Sequence, residues 1–391
     1  MGLESMCRLV VTVTLATLLL LPRAWGIGPE LSGYYQYQLT AGAIDREAYV
    51  QDYNRLRLDI SAQAGERASF RGDYVYQTFN GRTALPLDEL LPPAIFEQLP
   101  PDAPSTYEFE NEHYLDNAFL SFYAGRFMIR VGKQQLPWGT GYAWNPTDLF
   151  NVKSLVEPTY EKRGVDAGAI EIPFHTAGSI RAVFAPHGTI EQTARLLRIG
   201  EHFGRYDISA TIGQLHEERR NFLTGTTSAE RRRLLGGDFA GELFGLGVWG
   251  EGAYNDWERS DDYAQLVLGV DYTLENGTYL LGEYYWSERG RLRREDYTVQ
   301  EWLELLFGGR KSLARNYLFL YTSYPLTELI DLSAYGVGNL DDRSLVLIPS
   351  LSYNIAENVD LLFNLNLFSG DEASEFGSAD HLGFLRVTAY F

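Results

Sequence analysis

Long stretches in which apolar and polar side chains alternate residue by residue constrain this chain more than any other feature. In 52–63, Leu56, Leu58 and Ile60 fall on one side while Arg55, Arg57, Asp59 and Ser61 fall on the other. After Ala64-Gly65 the pattern resumes over 66–79, with Phe70, Tyr74 and Tyr76 opposite Ser69, Arg71, Asp73 and Gln77. Near the end, Leu361, Phe363, Leu365 and Leu367 alternate with Asp360, Asn364 and Asn366. Successive side chains of a strand point to opposite faces, so each run is a strand with one apolar and one polar face. A soluble sandwich would give the same pattern with its apolar face inward, but sandwich strands are about five or six residues long. These runs are about twice that, the length a tilted strand needs to cross a bilayer. The expected fold is all-β, a transmembrane antiparallel barrel with apolar side chains outside and polar ones in the lumen.

Strand and link lengths agree with that reading. Candidate strands lie near 30–40, 52–63, 66–79, 113–123, 127–135, 165–173, 178–185, 193–201, 205–215, 233–243, 246–256, 262–274, 277–288, 314–325, 328–338, 343–354, 358–369 and 381–391, eighteen in all. Sixteen stays open, because the pattern is weakest between 165 and 205. Links after even-numbered strands are tiny, as at Gly65, Gly125, Phe244-Gly245 and Glu275-Asn276. Links after odd-numbered strands are often long, about 80–112, 136–164, 216–232, 289–313 and 370–380. Short turns on one rim and long loops on the other are a barrel habit, with the long ones external and the short ones periplasmic.

Residues 9–21 are an uncharged run of Leu, Val, Thr and Ala preceded by Arg8, and Ala24 and Gly26 provide small residues for cleavage. Residues 1–26 therefore read as a secretory signal, leaving 27–391 as the barrel. The single cysteine, Cys7, would leave with it, which excludes disulfides and thiolate chemistry in the mature chain. A formal net charge of −19 argues against nucleic acid as a partner. Abundant aromatics, 7 Trp, 26 Tyr and 21 Phe, argue against disorder.

The C-terminus, Leu385-Arg386-Val387-Thr388-Ala389-Tyr390-Phe391, ends on an aromatic. It resembles the terminal signature by which bacterial outer-membrane barrels are recognised for assembly, which implies that role for Phe391 and implies the barrel assembly machinery as a partner. A second resemblance rests on Gly132-Lys133-Gln134, then Trp138-Gly139-Thr140-Gly141 and Asn145-Pro146-Thr147-Asp148. This "GKQ…WGxG…NPxD" segment is similar to one in a poorly characterised group of Gram-negative porin-like proteins. The resemblance implies that the third external link, 136–164, folds into the lumen and narrows it.

Read physically, Gly139 and Gly141 permit backbone conformations closed to other residues, and Asn145-Pro146-Thr147-Asp148 is turn chemistry. Trp138 and Trp144 are candidate anchors to the wall, and Asp148, Lys153, Glu157, Glu161, Lys162 and Arg163 form a mixed set suited to lining water. An ordinary external loop with its Trp residues at the membrane interface is the alternative. Candidate lumen charges are basic in the first half (Arg55, Arg57, Arg71, Arg130, Arg181, Arg198) and acidic in the second (Asp238, Glu242, Glu251, Asp271, Glu283, Asp331). Opposed arcs of that kind would set a transverse field across a pore. Paired charges that merely hydrate the wall are the simpler reading.

Arg219, Arg220 and Arg231 to Arg233, with Arg289, Arg291, Arg293 and Arg294, suit phosphates of outer-membrane lipid and lipopolysaccharide, or a solvated loop. Residues 299–307 read as a short amphipathic helix that caps the pore, meets a partner or packs within its own loop. The histidines, His113, His175, His187, His202, His216 and His381, have no metal-binding spacing, and GxSxG and CxxCH are absent. An enzyme, a metal and a cofactor are not expected. The functional reading is a porin-like channel for passive or weakly selective diffusion of small hydrophilic solutes. A structural barrel that sheathes an electron-transfer or export component is the alternative, and a homo-oligomer is left open.

Overall fold

The computed structural model describes residues 29–391 apart from 45–46, 102–104, 151–162 and 176. The signal-peptide reading of 1–26 lies outside them. The strands are β1 (Glu30–Ile44), β2 (Glu47–Ala64), β3 (Ala68–Gly81), β4 (Ala84–Pro86), β5 (Thr106–Glu108), β6 (Glu112–Ala124), β7 (Phe127–Gln134), β8 (Val165–Phe174), β9 (Gly178–His187) and β10 (Thr189–Phe203). They continue as β11 (Tyr206–Asn221), β12 (Thr226–Leu243), β13 (Leu246–Trp257), β14 (Tyr263–Thr273), β15 (Tyr279–Ser287), β16 (Asn316–Pro325), β17 (Ile330–Asn339), β18 (Ser344–Ala356), β19 (Val359–Ser369) and β20 (Leu382–Tyr390). Apart from β4 and β5, a small hairpin inside one loop, these form an 18-stranded sheet. Each strand pairs antiparallel with its neighbours, and β1 pairs with both β2 and β20, which closes the barrel. Closure removes the two free edges an open sheet would leave. The count is eighteen, not sixteen.

Register fixes the two faces. Leu197, Ile199, Leu268, Leu320, Phe363 and Leu385 point outward and stay exposed. An apolar belt of that extent excludes the soluble sandwich, which would bury it. Phe391 continues the outward row of Leu385, Val387 and Ala389, and its backbone N–H and C=O both bond to Gly33, 3.0 Å each, sealing the seam beside β1.

One expected loop is not a loop. Residues 216–232 are the upper ends of β11 and β12, joined by a turn at 222–225. The long links on that rim are 82–111 (within the expected 80–112), 135–164, 288–315 and 370–381. The 80–112 link carries helix α1 (Pro93–Phe96), and 288–315 carries α2 (Val299–Leu306) where the amphipathic helix is expected. A capping box starts α2: Glu301 N donates to Thr298 Oγ1 at 3.3 Å and Thr298 N donates to Glu301 Oε2 at 3.0 Å.

The inner wall does not follow the polar rule throughout. From β13 to β18 it presents Trp249, Val267, Leu281, Tyr285, Tyr317, Phe319, Val337, Val346 and Ile348, all buried. Leu87, Leu91 and Ile95 from the 80–112 link, Trp302 and Leu303 of α2, and Phe376 pack with that wall in one cluster. Loops folded inward thus supply the apolar partners that a water-filled pore would not. The helix packs within the loop assembly over the lumen.

Candidate constriction site

The described first part of the third external loop, residues 135–150, leaves β7 along the lumen side of the wall. It is held by two inward-facing carboxylates. Glu283, on β15, accepts the backbone N–H groups of Tyr142 at 2.5 Å, Ala143 at 2.8 Å and Trp144 at 3.0 Å, and the Trp249 indole N–H at 2.8 Å. Glu251, on β13, accepts the N–H groups of Thr140 at 2.9 Å, Gly141 at 3.3 Å and Thr147 at 2.6 Å, and the Thr147 hydroxyl at 2.8 Å. Consecutive N–H groups converging on an oxygen make an anion-binding concavity, and here the anions belong to the wall. Both carboxylates are buried, Glu283 at 0% and Glu251 at 2% exposure.

The motif glycines follow from this seat. Gly139 has φ +92, and a Cβ there would lie 2.4 Å from a Glu251 oxygen. At Gly141 a Cβ would lie 1.8 Å from the Trp144 carbonyl oxygen. Asn145-Pro146-Thr147-Asp148 closes as a turn, with Asp148 N donating to Asn145 O at 3.2 Å. Trp144 stacks on Tyr285, centroids 5.0 Å apart and planes at 7°. Trp138 packs with Leu136 on Ala167, Ala169, Ala185 and Ala194, small residues of β8 to β10 that leave room for an indole.

Both stems of the loop are tied to one charge cluster. Arg57 donates to Asp59 at 2.8 Å, Asp73 at 2.9 Å and Asp116 at 2.9 Å. A register shift between β3 and β6 lies at Asp73/Tyr74. Next to it, Asp116 and Asn117, consecutive in the chain, both engage the stems. Gln135 N donates to Asn117 Oδ1 at 3.0 Å, Gln135 Nε2 to Asp116 at 3.0 Å, and Gly164 N to Asp116 at 3.2 Å.

The candidate residues are therefore divided by the fold. Trp138, Trp144 and Asp148 are buried in the loop's seat. Arg163 pairs with Glu112 and lies 4.2 Å over the Tyr114 ring. Lys153, Glu157, Glu161 and Lys162 fall outside the described residues. All twelve candidate lumen charges sit on the inward face by register. Four of them are buried: Glu251 and Glu283 hold the loop, Arg57 is enclosed by carboxylates, and Asp238 is taken up by Arg198 and Ser209. The opposed arcs also fail as free fields. Arg198 grips Asp238 bidentately at 2.7 and 2.9 Å, Arg181 faces Glu171 at 4.0 Å, and Arg130 lies 4.4 Å over the Phe119 ring. Asp271 accepts from Tyr279 at 2.7 Å, Glu242 pairs with Arg205 at 3.3 Å, and Asp331 is exposed. Arg71 bonds Asp73 at 3.0 Å with half its side chain open. Arg55 sits half-buried on β2, opposite Gln77 of β3.

The external arginines are mostly paired too, with Arg220 instead lying 5.2 Å over the Phe222 ring. Arg289 meets Glu304 at 2.8 Å, Arg291 meets Glu301 at 3.0 Å, Arg231 meets Glu258 at 3.2 Å, and Arg293 meets Asp296 at 3.3 Å. Among the described residues no group of three His, Cys, Asp or Glu is placed to hold a metal ion.

No protein-family model matches the chain, and no curated protein matches it in sequence. Solved structures do. OccAB1 of Acinetobacter baumannii superposes with a TM-score of 0.57 at 9% identity, over 94% of this chain and 96% of that one. OccK5 (OpdH) of Pseudomonas aeruginosa gives 0.56 at 9% identity, over 93% and 97%. A BenF-like porin from Pseudomonas fluorescens Pf-5 gives 0.55 at 9% identity, over 93% and 98%. The chain has the fold of an outer-membrane porin barrel. At so low an identity the likeness is one of fold, and the barrel's loop seat and charges speak only for this chain.

Proposed function

We propose that this barrel is a porin-like channel of the outer membrane, exported by a cleaved signal, through which small hydrophilic solutes diffuse. Residues 136–164 are its constriction. The observation that supports this reading is the double carboxylate seat of Glu251 and Glu283, which holds Thr140 to Thr147 against the inner wall. Solutes pass along the side the loops leave polar, where Gln36, Gln38, Arg55, Asp59, Arg71 and Arg386 face inward. Outer-leaflet lipid and the barrel assembly machinery are its expected partners, the second through Phe391. The apolar packing of four loops over the lumen favours one other reading, a plugged barrel that sheathes or docks a partner.

Planar-bilayer recording of the purified protein separates the two. Stable ohmic steps that enlarge when residues 142–160 are deleted support the channel. Silence from both the full chain and the deletion would overturn it in favour of the sheath.

A further inference from the structure

The third loop turns one ring down the wall. Tyr142, beside the Glu283 seat, is 49% exposed and lies 5.4 Å from Phe319 and 5.9 Å from Tyr321, at 25° to the latter. Strand β16 runs from the 288–315 loop to the short turn at 326–329, so Tyr321 lies on the periplasmic side of Phe319. Tyr279 meets Tyr321 edge-on at 6.0 Å, and Tyr335 stands opposite Tyr321 across β16 and β17. Tyr279 and Tyr321 are only half-buried, so their rings reach the lumen below the loop's seat.

One inward position further toward the periplasm, the wall changes character. Tyr279, Ser323, Ser333, Ser350 and Asn364 stand side by side in register from β15 to β19. The three serines are half-buried, and their hydroxyls make no hydrogen bond to a described residue. Asn364 is buried with neither amide atom bonded to a described residue, and a buried amide left unpaired is costly. The row above is Asp271, Leu281, Tyr321 and Tyr335. Neither row holds a lysine or arginine, and Asp271 accepts from the Tyr279 hydroxyl at 2.7 Å.

We propose that this strip binds a neutral saccharide, one ring laid on Tyr142 and Tyr321 and its hydroxyls on Ser323, Ser333 and Ser350. A sugar ring presents C–H groups on its face, which suit the negative face of an aromatic ring. Sugar hydroxyls donate and accept, as serine hydroxyls do, so the two pair without charge. Neighbouring strands lie about 4.8 Å apart, which makes the serine row about 10 Å long, the span of a disaccharide. An anion finds no cation there and meets Asp271. A purely aromatic solute leaves the hydroxyl row unpaired.

The saccharide site rests on the channel reading, since the strip lies in the lumen beyond the constriction. Binding itself needs only the folded barrel. Saturation-transfer NMR on the full chain in detergent compares cellobiose, a disaccharide of flat rings, with sorbitol, a polyol without a ring. Expected is saturable binding of cellobiose, about threefold or more tighter than sorbitol. Tyr321→Leu keeps the bulk and removes the ring, and weakens cellobiose about threefold or more, while Tyr321→Phe stays within about twofold of the wild type. Ser333→Ala weakens it about threefold. Equal binding of the two probes, no saturable cellobiose contact, or full affinity in Tyr321→Leu or Ser333→Ala overturns the site. A barrel that conducts in bilayers without binding cellobiose refutes the site and leaves the channel. One that binds cellobiose and never conducts leaves the site and refutes the channel.

Discussion

Two arcs of the inner wall are built from the same alternating strands and end up with opposite chemistry. From β19 through β20 and β1 to β3, inward positions carry Asp360, Asn366, Arg386, Gln36, Gln38, Arg55 and Arg71. From β13 to β18 they carry Trp249, Val267, Tyr285, Phe319, Val337 and Ile348. The outward rows of both arcs are equally apolar, because lipid is one solvent all the way round. Inside, each arc answers to what covers it. Folded loops cover the second and leave the first polar. Glu251 and Glu283 are buried acids within the covered arc, and they are the residues that fasten the third loop to it.

The largest effect should come from unfastening it. Glu283→Leu leaves three loop N–H groups and the Trp249 indole without an acceptor, and each orphaned buried donor costs about 1–3 kcal/mol. Single-channel conductance should rise and protease should cut within 138–148. Arg71→Leu, on the polar arc, should change neither. Similar behaviour of the two variants would erase the distinction between the arcs.

Next in size is a test of the outer row. Phe363→Arg should cost about 2–4 kcal/mol in refolding titrations, as a charge at the bilayer face of a barrel does. Gln36→Arg, on the polar inner arc, should cost little. The neighbouring inward residue Asn364 is a poor control, because it is 1% exposed and has no room for a longer side chain. Equal losses for Phe363 and Gln36 would contradict the assignment of faces.

A smaller, pH-dependent effect belongs to the 370–381 loop. Tyr317 donates to Glu375 at 2.5 Å, Asn339 Nδ2 also donates to Glu375 at 2.7 Å, and Glu375 N donates to Asp342 at 2.8 Å. Burial, with Asp342 adding to it, pushes the Glu375 carboxyl up to about 7 from its ordinary 4.5, against the hydrogen bond from Tyr317. A raised carboxyl favours the docked loop below its free value and gives that stability up as pH rises through about 7. Hydrogen exchange over 371–377 should therefore speed up, beyond its intrinsic pH trend, between about pH 5 and about pH 8. Glu375→Gln should remove the extra dependence. A wild-type loop that follows the intrinsic trend alone would contradict the docking energetics.

The smallest effect is on selectivity. Arg71→Gln on the polar arc should move the reversal potential slightly toward cations at low salt, and the shift should fade as screening shortens to about 10 Å near 0.1 M. No shift at any salt would mean that solute does not pass that arc.

The alternation made the outer face legible from end to end, because a single rule acts on every outward position. Only the upper ends of the β11–β12 hairpin, within 216–232, were not legible as strand. Above the lipid both its faces meet water, so Glu217, Arg219, Arg231 and Arg233 read as a loop. The twin seat was half legible. Gly139, Gly141 and the Asn145-Pro146 turn marked a special backbone, but its partners were hidden, since Glu251 and Glu283 recognise main-chain N–H groups that carry no sequence identity. One signal could have found them: each is a solitary acid between large apolar inward neighbours, Trp249 beside Glu251, and Leu281 with Tyr285 around Glu283. Asp116 needed the register shift to be seen at all.

The contacts that seat the third loop on Glu283 join residues 139 to 141 positions apart in the chain. The loop is synthesised before the strand that receives it. Assembly therefore has an order built into it: the wall must curl through β15 before the lumen can narrow. Until β15 is in place, Tyr142 to Trp144 lack the acceptor that fastens them, which makes this a long-range contact with a high closure cost.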